Sequence, residues 1–141
     1  MSQSDIHGSC LCGKVSYKIS RDLGIFQYCH CSRCRKFTGS AHATNLLVAP
    51  DAFRWLSGEE YVGRYEPEDT RHFATSFCQF CGSSLPWLGK TRRSVVIPAG
   101  TLDDDPVTRP QWNIFCDSKA DWYTDPKQLP EYDQLPPKKN K

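Results

Sequence analysis

The sequence predicts a mainly β protein of one small domain that is stabilised by bound zinc. Its apolar residues recur in short runs with a period of two, which is the spacing of strands with one buried face. Helical patterns are confined to two short segments, so no long helix is expected. Seven of the eight cysteines fall in closely spaced groups, and these are the candidate ligands for the metal.

Six runs rich in β-branched or aromatic residues are bounded by glycine, proline, aspartate or serine, and we expect each to form a strand. In chain order they read KVSYKIS, ATNLLVA, EYVGRY, RHFATSF, SSLPWLG and SVVIPAG. SRCRKFTG predicts a short helix with Ser32 as its N-cap and Gly39 as its stop, and PDAFRWLSG predicts a second helical turn. We therefore expect a domain over residues 1–125, followed by a proline- and lysine-rich tail over residues 126–141.

Composition and charge exclude several classes of function. The 141 residues carry 18 Lys and Arg against 16 Asp and Glu, a net charge of +2, which provides no broad field for nucleic acid or an anionic membrane. Neither a membrane-spanning run nor a signal peptide is recognisable, so we expect a cytoplasmic protein. Thiols stay reduced in the cytosol, which favours metal binding over the alternative of disulfides.

The first cysteine group combines two distant pairs. In FCQFCGS, Cys78 and Cys81 have the C-x-x-C spacing that lets two sulfurs turn toward one metal ion. One such pair leaves zinc under-coordinated, and Cys10 and Cys12 of GSCLCG can supply the two missing thiolates. The expected result is a closed Cys₄ zinc site whose role is structural, because metal binding in small zinc domains contributes folding free energy.

The second group differs because Cys29, Cys31 and Cys34 place three thiolates within six residues of CHCSRC. Three ligands leave one corner of a tetrahedron open, which is typical of catalytic zinc. With three thiolate charges on it, the metal is a poor generator of hydroxide and favours a soft fourth ligand such as an incoming thiol. We therefore predict a second, catalytic-type zinc at this position.

Single residues outside these groups have plainer interpretations. Cys116 either completes a second Cys₄ site or is a small buried apolar residue, and we favour the buried residue. His30 stands between two ligating cysteines, and we expect it to support the site or lie at the surface rather than to bind metal. His42 and His72 lie in strand-like runs and are expected at the edge of the core.

Four motifs together resemble the family of glutathione-dependent formaldehyde-activating enzymes, also called the Gfa or centromere protein V family. They are GSCLCG, CHCSRCRKFTG, CQFCGS and PAGTLDDD, in the family's order, and the resemblance extends from about Gly8 to Trp122. It implies a β-tent fold with the two zinc sites assigned above. The chain departs from the family pattern in NIFCDSKADW, where Asn113 stands at the position of a histidine.

The resemblance also implies an activity, that of a carbon–sulfur lyase which in reverse adds glutathione to formaldehyde to give S-hydroxymethylglutathione. Glutathione, another thiol or a small aldehyde would then be the substrate, and the zinc would stabilise the thiolate or polarise the aldehyde oxygen. The two carboxylates of glutathione require cationic partners, and Arg33, Arg35 and Lys36 are the candidates. These three residues can equally be ordinary surface charge.

Two hypotheses from different classes remain on the sequence alone. We favour the enzyme, and the alternative is a non-catalytic zinc-stabilised module that binds protein or nucleic acid. The sequence disfavours the zinc deaminases, because neither His30 nor His42 begins an H-x-E motif and no proline precedes the C-x-x-C pair. The sequence leaves a homo-oligomer open.

Overall fold

The computed structural model describes residues 4–138, which form a mainly β fold with eleven short strands and one α-helix. The helix, α1, spans Ser32–Thr38. The strands are β1 (Ile6–Ser9), β2 (Ser16–Ile19), β3 (Phe26–Cys29), β4 (Ala43–Val48), β5 (Phe53–Ser57), β6 (Val62–Tyr65), β7 (Thr75–Cys78), β8 (Ser84–Leu85), β9 (Trp87–Leu88), β10 (Val95–Pro98) and β11 (Trp112–Ile114). The predicted mainly β class is confirmed.

The strands are arranged in three sheets. A five-stranded central sheet has the order β11-β3-β4-β10-β9, and it is flanked by the three-stranded sheets β1-β2-β5 and β6-β7-β8. Neighbouring strands are antiparallel except for β11, which returns from far along the chain and pairs with β3 in parallel. This parallel pairing brings the segment after residue 114 back to the end of β3.

Alternation along β4 and β10 gives the central sheet two different faces. One face packs against the sheet formed by β1, β2 and β5, and the buried cluster between them contains Ile6, Tyr17, Ile19, Phe26, Leu46, Val48, Val95 and Ile97. Each such side chain contributes about 1.5–3 kcal/mol through its burial. The intervening residues Leu47 and Val96, which are partners across β4 and β10, belong to the opposite face. That second face borders the candidate site.

Helix α1 begins one residue earlier than predicted. Its N-cap is Cys31, whose sulfur accepts a hydrogen bond from the Cys34 backbone N–H at 3.3 Å, so the prediction of Ser32 as the cap is wrong. A thiol is a weak acceptor, but here it lies where a serine oxygen usually caps a helix. The predicted stop is confirmed, because Gly39 is left-handed and its N–H bonds to the Arg35 carbonyl oxygen at 2.8 Å.

The second predicted helical turn is only partly present. Pro50–Ala52 forms a 3₁₀ turn, but the rest of PDAFRWLSG is strand β5. Phe53 and Trp55 lie on one side of β5 and pack against Tyr17 of β2, with ring centroids 5.5 and 6.3 Å away. Pairing with a distant strand and packing of two aromatic rings therefore outweigh the local helical tendency.

Residues 126–138 are exposed and contain a single 3₁₀ turn, Pro126–Gln128. The end of the expected tail, residues 139–141, lies outside the described residues, as do residues 1–3. Between residues 4 and 138 no helix is long and apolar enough to cross a membrane.

The first prediction concerns Gly58, whose φ is 76°. A Cβ added at this position would lie closer to the Lys14 carbonyl oxygen than van der Waals contact allows. Gly58→Ala should lower the free energy of unfolding by about 2–4 kcal/mol, from left-handed strain and overpacking against backbone. Gly39→Ala is the matched control, since its φ is 65° but nothing lies within 4 Å of the added Cβ. Gly39→Ala should lower the free energy of unfolding, measured with urea, by only about 1 kcal/mol. Equal losses of stability in the two variants would contradict the steric argument.

For the chain end, we propose that residues 126–141 lie outside the folded domain. A chain ending at Asp125 should then match the full chain within about 0.5 kcal/mol in the same unfolding measurement. A chain ending at Lys119 is the control, because it also removes buried Ala120 and Tyr123, whose ring lies 5.4 Å from that of His30. A loss of stability already in the longer chain would show that the tail belongs to the domain.

Candidate metal centres and the adjoining cavity

The first thiol cluster forms where two turns meet. Cys10 and Cys12 lie in the turn between β1 and β2, whereas Cys78 ends β7 and Cys81 lies in the turn before β8. All four Sγ atoms lie within 4.8 Å of one another, with Cys10–Cys12 at 3.6 Å and Cys12–Cys78 at 3.9 Å. A tetrahedron with zinc–sulfur distances of about 2.3 Å has edges of about 3.8 Å. The spacing therefore fits one zinc ion.

Hydrogen bonds to the sulfurs favour the thiolate form of Cys10 and Cys81 in this first cluster, whereas desolvation and contacts with the other three thiols raise the pKa of Cys12. Cys10 Sγ accepts the Val15 N–H at 3.4 Å, and Cys81 Sγ lies 3.2 Å from the Ser83 hydroxyl. Hydrogen bonds from the Ser83 side chain and backbone lower the pKa of Cys81 to about 5. A thiolate at this position is the form that binds metal.

The second thiol cluster lies at the junction of β3 and α1. Cys29 is the last residue of β3, Cys31 caps the helix and Cys34 lies in its first turn, so strand, cap and helix each supply one thiol. Their three Sγ atoms lie within 4.8 Å of one another. Cys29 and Cys34 are 5% exposed and Cys31 is more accessible. Among residues 4–138, no fourth histidine, cysteine or carboxylate completes this group.

Cys116 lies elsewhere, and the expectation that it is buried is wrong. It opens an exposed 3₁₀ turn, Cys116–Ser118, directly after β11. Its Sγ is not part of the second cluster. The chain leaves the sheet at this point, so the side chain has no core to enter.

Crowding of three sulfurs makes their protonation unequal. Hydrogen bonds from Cys29 and Cys34 lower the pKa of Cys31 to about 2, while the hydrogen bonds with Cys29 and Cys31, together with burial, raise the pKa of Cys34. One thiolate is thus stabilised at the expense of its neighbours. A cation among the sulfurs would remove this conflict, as zinc does when it binds thiolates. The donor set and spacing therefore fit a metal with an open position.

A cavity of about 570 Å³ adjoins the second cluster, and Cys29, Cys31 and Cys34 form part of its wall. Apolar side chains make up much of the remaining lining, and Arg33, Asp69 and Arg71 contribute exposed charged groups. The lining residues outside the cluster that matter most are Leu47, Asp69, Arg71, His72, Phe73, Trp87, Val96, Ile114 and Phe115. A volume of this size is typical of small-molecule sites.

The three basic residues singled out in the sequence have different positions. Arg33 lines the cavity, and its Nη2 lies 3.8 Å from Asp69 Oδ2. Arg35 is half-buried with its Nε lacking a hydrogen-bond partner, and Lys36 is exposed. Neither of these two lines the cavity. Arg71, which the sequence analysis did not select, lies in the wall with Arg33.

The three histidines considered in the sequence also differ in burial and in distance from the cavity. His30 is fully buried rather than at the surface, with Nε2 2.9 Å from Asn113 Oδ1, and this contact links the residue after β3 to β11. His42 is half-buried, and its ring stacks on Tyr28 with centroids 4.3 Å apart. His72 lines the cavity, and Nδ1 lies 2.7 Å from Thr91 Oγ1. Desolvation lowers the pKa of His72, which favours the neutral ring.

Sequence reasoning missed most of the cavity wall outside the thiols. Phe73 and His72 lie in a loop before β7, and Trp87 lies in β9, all far from CHCSRC in the chain. One signal was available, because Leu47 in NLLVA and Val96 in SVVIP interrupt the polar positions expected on a solvated face. Continuous apolar runs of this kind indicate a strand with two apolar faces.

Comparisons with known proteins agree with this architecture. A protein of Halomonas elongata, provisionally named as a glutathione-dependent formaldehyde-activating enzyme, is 31% identical over 125 residues, covering 83% of this chain and 78% of the relative. A crystal structure of a Rhodobacter sphaeroides protein superposes with a TM-score of 0.60 at 20% identity, over 75% of this chain and 98% of the other, and shows a shared fold. The family profile described as "Glutathione-dependent formaldehyde-activating enzyme" matches residues 5–118. The chain therefore belongs to the family of glutathione-dependent formaldehyde-activating enzymes.

Proposed function

We propose that the protein is a zinc-dependent enzyme of the carbon–sulfur lyase type. Its substrate would be an adduct of glutathione or another thiol with a small aldehyde, such as S-hydroxymethylglutathione. One observation carries the proposal: three thiols, to which residues 4–138 add no fourth protein ligand, lie in the wall of a cavity large enough for a small molecule. Family membership supports glutathione and formaldehyde as the reactants.

The proposal assigns two zinc ions to each chain. Cys10, Cys12, Cys78 and Cys81 would hold a structural ion, and Cys29, Cys31 and Cys34 would hold a catalytic one. When bound at the second cluster, zinc supplies a Lewis acid that stabilises a thiolate or the oxygen of a carbonyl group. Cys31 is the most accessible of its three thiols, so the open corner would face the cavity on its side.

Side chains of the cavity have separate tasks in this proposal. Arg33 and Arg71 would bind the carboxylates of glutathione, since both are cationic and exposed at the cavity wall. The aromatic rings of Phe73 and Trp87, 5.4 Å apart, would exclude water from the reacting carbon. Addition of the thiolate to the carbonyl forms a C–S bond and leaves an alkoxide that takes one proton. In the lyase direction the neutral ring of His72 would accept the hydroxyl proton of the adduct at Nε2, opposite the Thr91 contact at Nδ1, and in the addition direction the resulting imidazolium would return it.

Replacing one ligand in each cluster should separate structural from catalytic zinc. Cys81→Ser should strongly destabilise the fold, because it breaks a site that contributes of order 10 kcal/mol. Cys31→Ser should leave a folded chain with about one zinc instead of about two and without lyase activity, because serine also caps a helix. The measurements are zinc content, thermal unfolding and turnover. Cys116→Ser is the control, because its exposed thiol lies outside both clusters; equal unfolding by Cys31→Ser would refute the catalytic assignment.

Cobalt substitution tests the open corner. With cobalt in place of zinc, added glutathione should change the thiolate charge-transfer and d–d absorption, because a thiol enters the fourth position. S-methylglutathione lacks a thiol and should leave the charge-transfer bands unchanged, and Cys116→Ala should respond as the unmodified chain does. A spectrum of two closed sites that ignores glutathione would contradict the proposal and favour a non-catalytic binding module.

A further inference from the structure

The floor of the cavity is the second apolar face of the central sheet. Leu47 and Val96 are cross-strand partners in β4 and β10, and their side chains point away from the main core. Phe73 and Trp87 pack beside them in an edge-to-face pair. Trp87 and Val96 are themselves buried in this cluster, whereas Leu47 and Phe73 are half-buried and line the cavity of about 570 Å³. Leu47 and Phe73 thus present an apolar surface to the candidate site.

The apolar wall continues on the side formed by β11. Ile114 ends that strand and also packs against the second thiol cluster, so the wall is contiguous with the sulfurs. Phe115 follows in a left-handed conformation, φ 55° and ψ 42°, and its side chain is 59% exposed. This backbone region is unfavourable for a large side chain. It persists here because the Ile114 carbonyl bonds to the His30 N–H and the Phe115 carbonyl to the Ser118 N–H, both at 3.0 Å.

The chemistry of this floor does not match a one-carbon aldehyde. The hydroxymethyl group from formaldehyde has only two non-hydrogen atoms, and one of them is a hydroxyl oxygen. Glutathione is polar along its length, and its carboxylates suit the charged positions of Arg33 and Arg71. Neither part of S-hydroxymethylglutathione would cover the accessible apolar side chains of Leu47, Phe73 and Phe115. Apolar surface of this extent is matched by an apolar ligand.

We propose that the site prefers thiol adducts whose aldehyde-derived carbon carries a bulky apolar group, aromatic or branched, which packs on this floor beside the thiol cluster. This inference rests on the proposed function and narrows its substrate class. In the lyase direction the adduct hydroxyl gives up its proton, the C=O bond forms, and the C–S bond breaks with its electron pair retained by the thiolate. The apolar aldehyde and the thiol are the products.

Two stable thioethers test the preference without turnover. S-benzylglutathione and S-methylglutathione share the same peptide and differ only in the group on sulfur. The ratio of their dissociation constants therefore measures how much the larger apolar group contributes to binding. Isothermal titration into the zinc-loaded full chain should show S-benzylglutathione binding about 10- to 100-fold more tightly, the range expected for burying one phenyl ring. Equal affinities, or no binding of either compound, would overturn the inference.

Variants locate the effect on the proposed surface. Leu47→Trp should fill the space above the floor, so that the dissociation constants of S-benzylglutathione and S-methylglutathione become nearly equal. Phe115→Ala, which removes a side chain from an exposed position, should narrow the ratio even if the tryptophan variant fails to fold. Phe80→Ala is the matched control, because Phe80 is also 59% exposed but lies outside the cavity. A ratio that stays unchanged in Phe115→Ala and in folded Leu47→Trp would place the binding elsewhere and refute the inference.

The outcomes separate this inference from the function on which it rests. Cobalt spectra that respond to glutathione, combined with equal binding of the two thioethers, would keep the lyase proposal and remove the bulky apolar substrate. Cobalt spectra that ignore glutathione, combined with a strong benzyl preference, would remove the lyase proposal and leave an apolar ligand site. Agreement of both experiments supports the complete assignment.

Discussion

The convergence of four cysteine sulfurs is the constraint on which the rest of the structure depends. Cys10 and Cys12 meet Cys78 and Cys81 across more than sixty residues of chain, and this contact joins the sheet β1-β2-β5 to the sheet β6-β7-β8. Sheets of three short strands bury little apolar surface by themselves. Val15 and Leu85 pack against the sulfurs, so the thiols are also part of a small core. This junction therefore ties the two outer sheets to each other, while the main core holds the sheet β1-β2-β5 against the central sheet.

Because side chains alternate along its strands, the central sheet has one face that forms the main core and another that borders the candidate site. One set of side chains along β4 and β10 forms the main core, and the set between them faces the cavity. A substitution on the cavity face therefore alters the site without removing the largest buried cluster. The second thiol cluster lies at one end of the same sheet, where β3 passes into α1. Rigid strands and a capped helix thus hold three thiols beside an apolar floor.

Strand β11 connects the chain's later residues to this site. Its parallel pairing with β3 sets Ile114 opposite Cys29, and the fully buried ring of His30 bonds to Asn113 from the neighbouring position. The amide oxygen of Asn113 therefore ties the buried ring to β11. The next two residues, Ile114 and Phe115, form one wall of the cavity.

Much of the fold and of the thiol chemistry could be predicted from the sequence because the signals are local. Period-two runs predicted the strands around Ser16–Ile19, Ala43–Val48 and Val95–Pro98, and the spacing of C-x-C-x-x-C predicted that Cys29, Cys31 and Cys34 could converge. The pairing of two distant cysteine pairs was also predictable, because each pair alone is too few ligands for zinc.

Only the tertiary structure decided which side chains surround the thiols. Phe53–Ser57 becomes a strand because β2 offers it a partner, and Cys116 is exposed because the chain leaves the sheet there. His72 and Trp87 enter the cavity wall through pairings that no local pattern specifies. Sequence spacing fixes distances within a few residues, whereas the neighbours of a cavity depend on strand order and register between segments far apart in the chain.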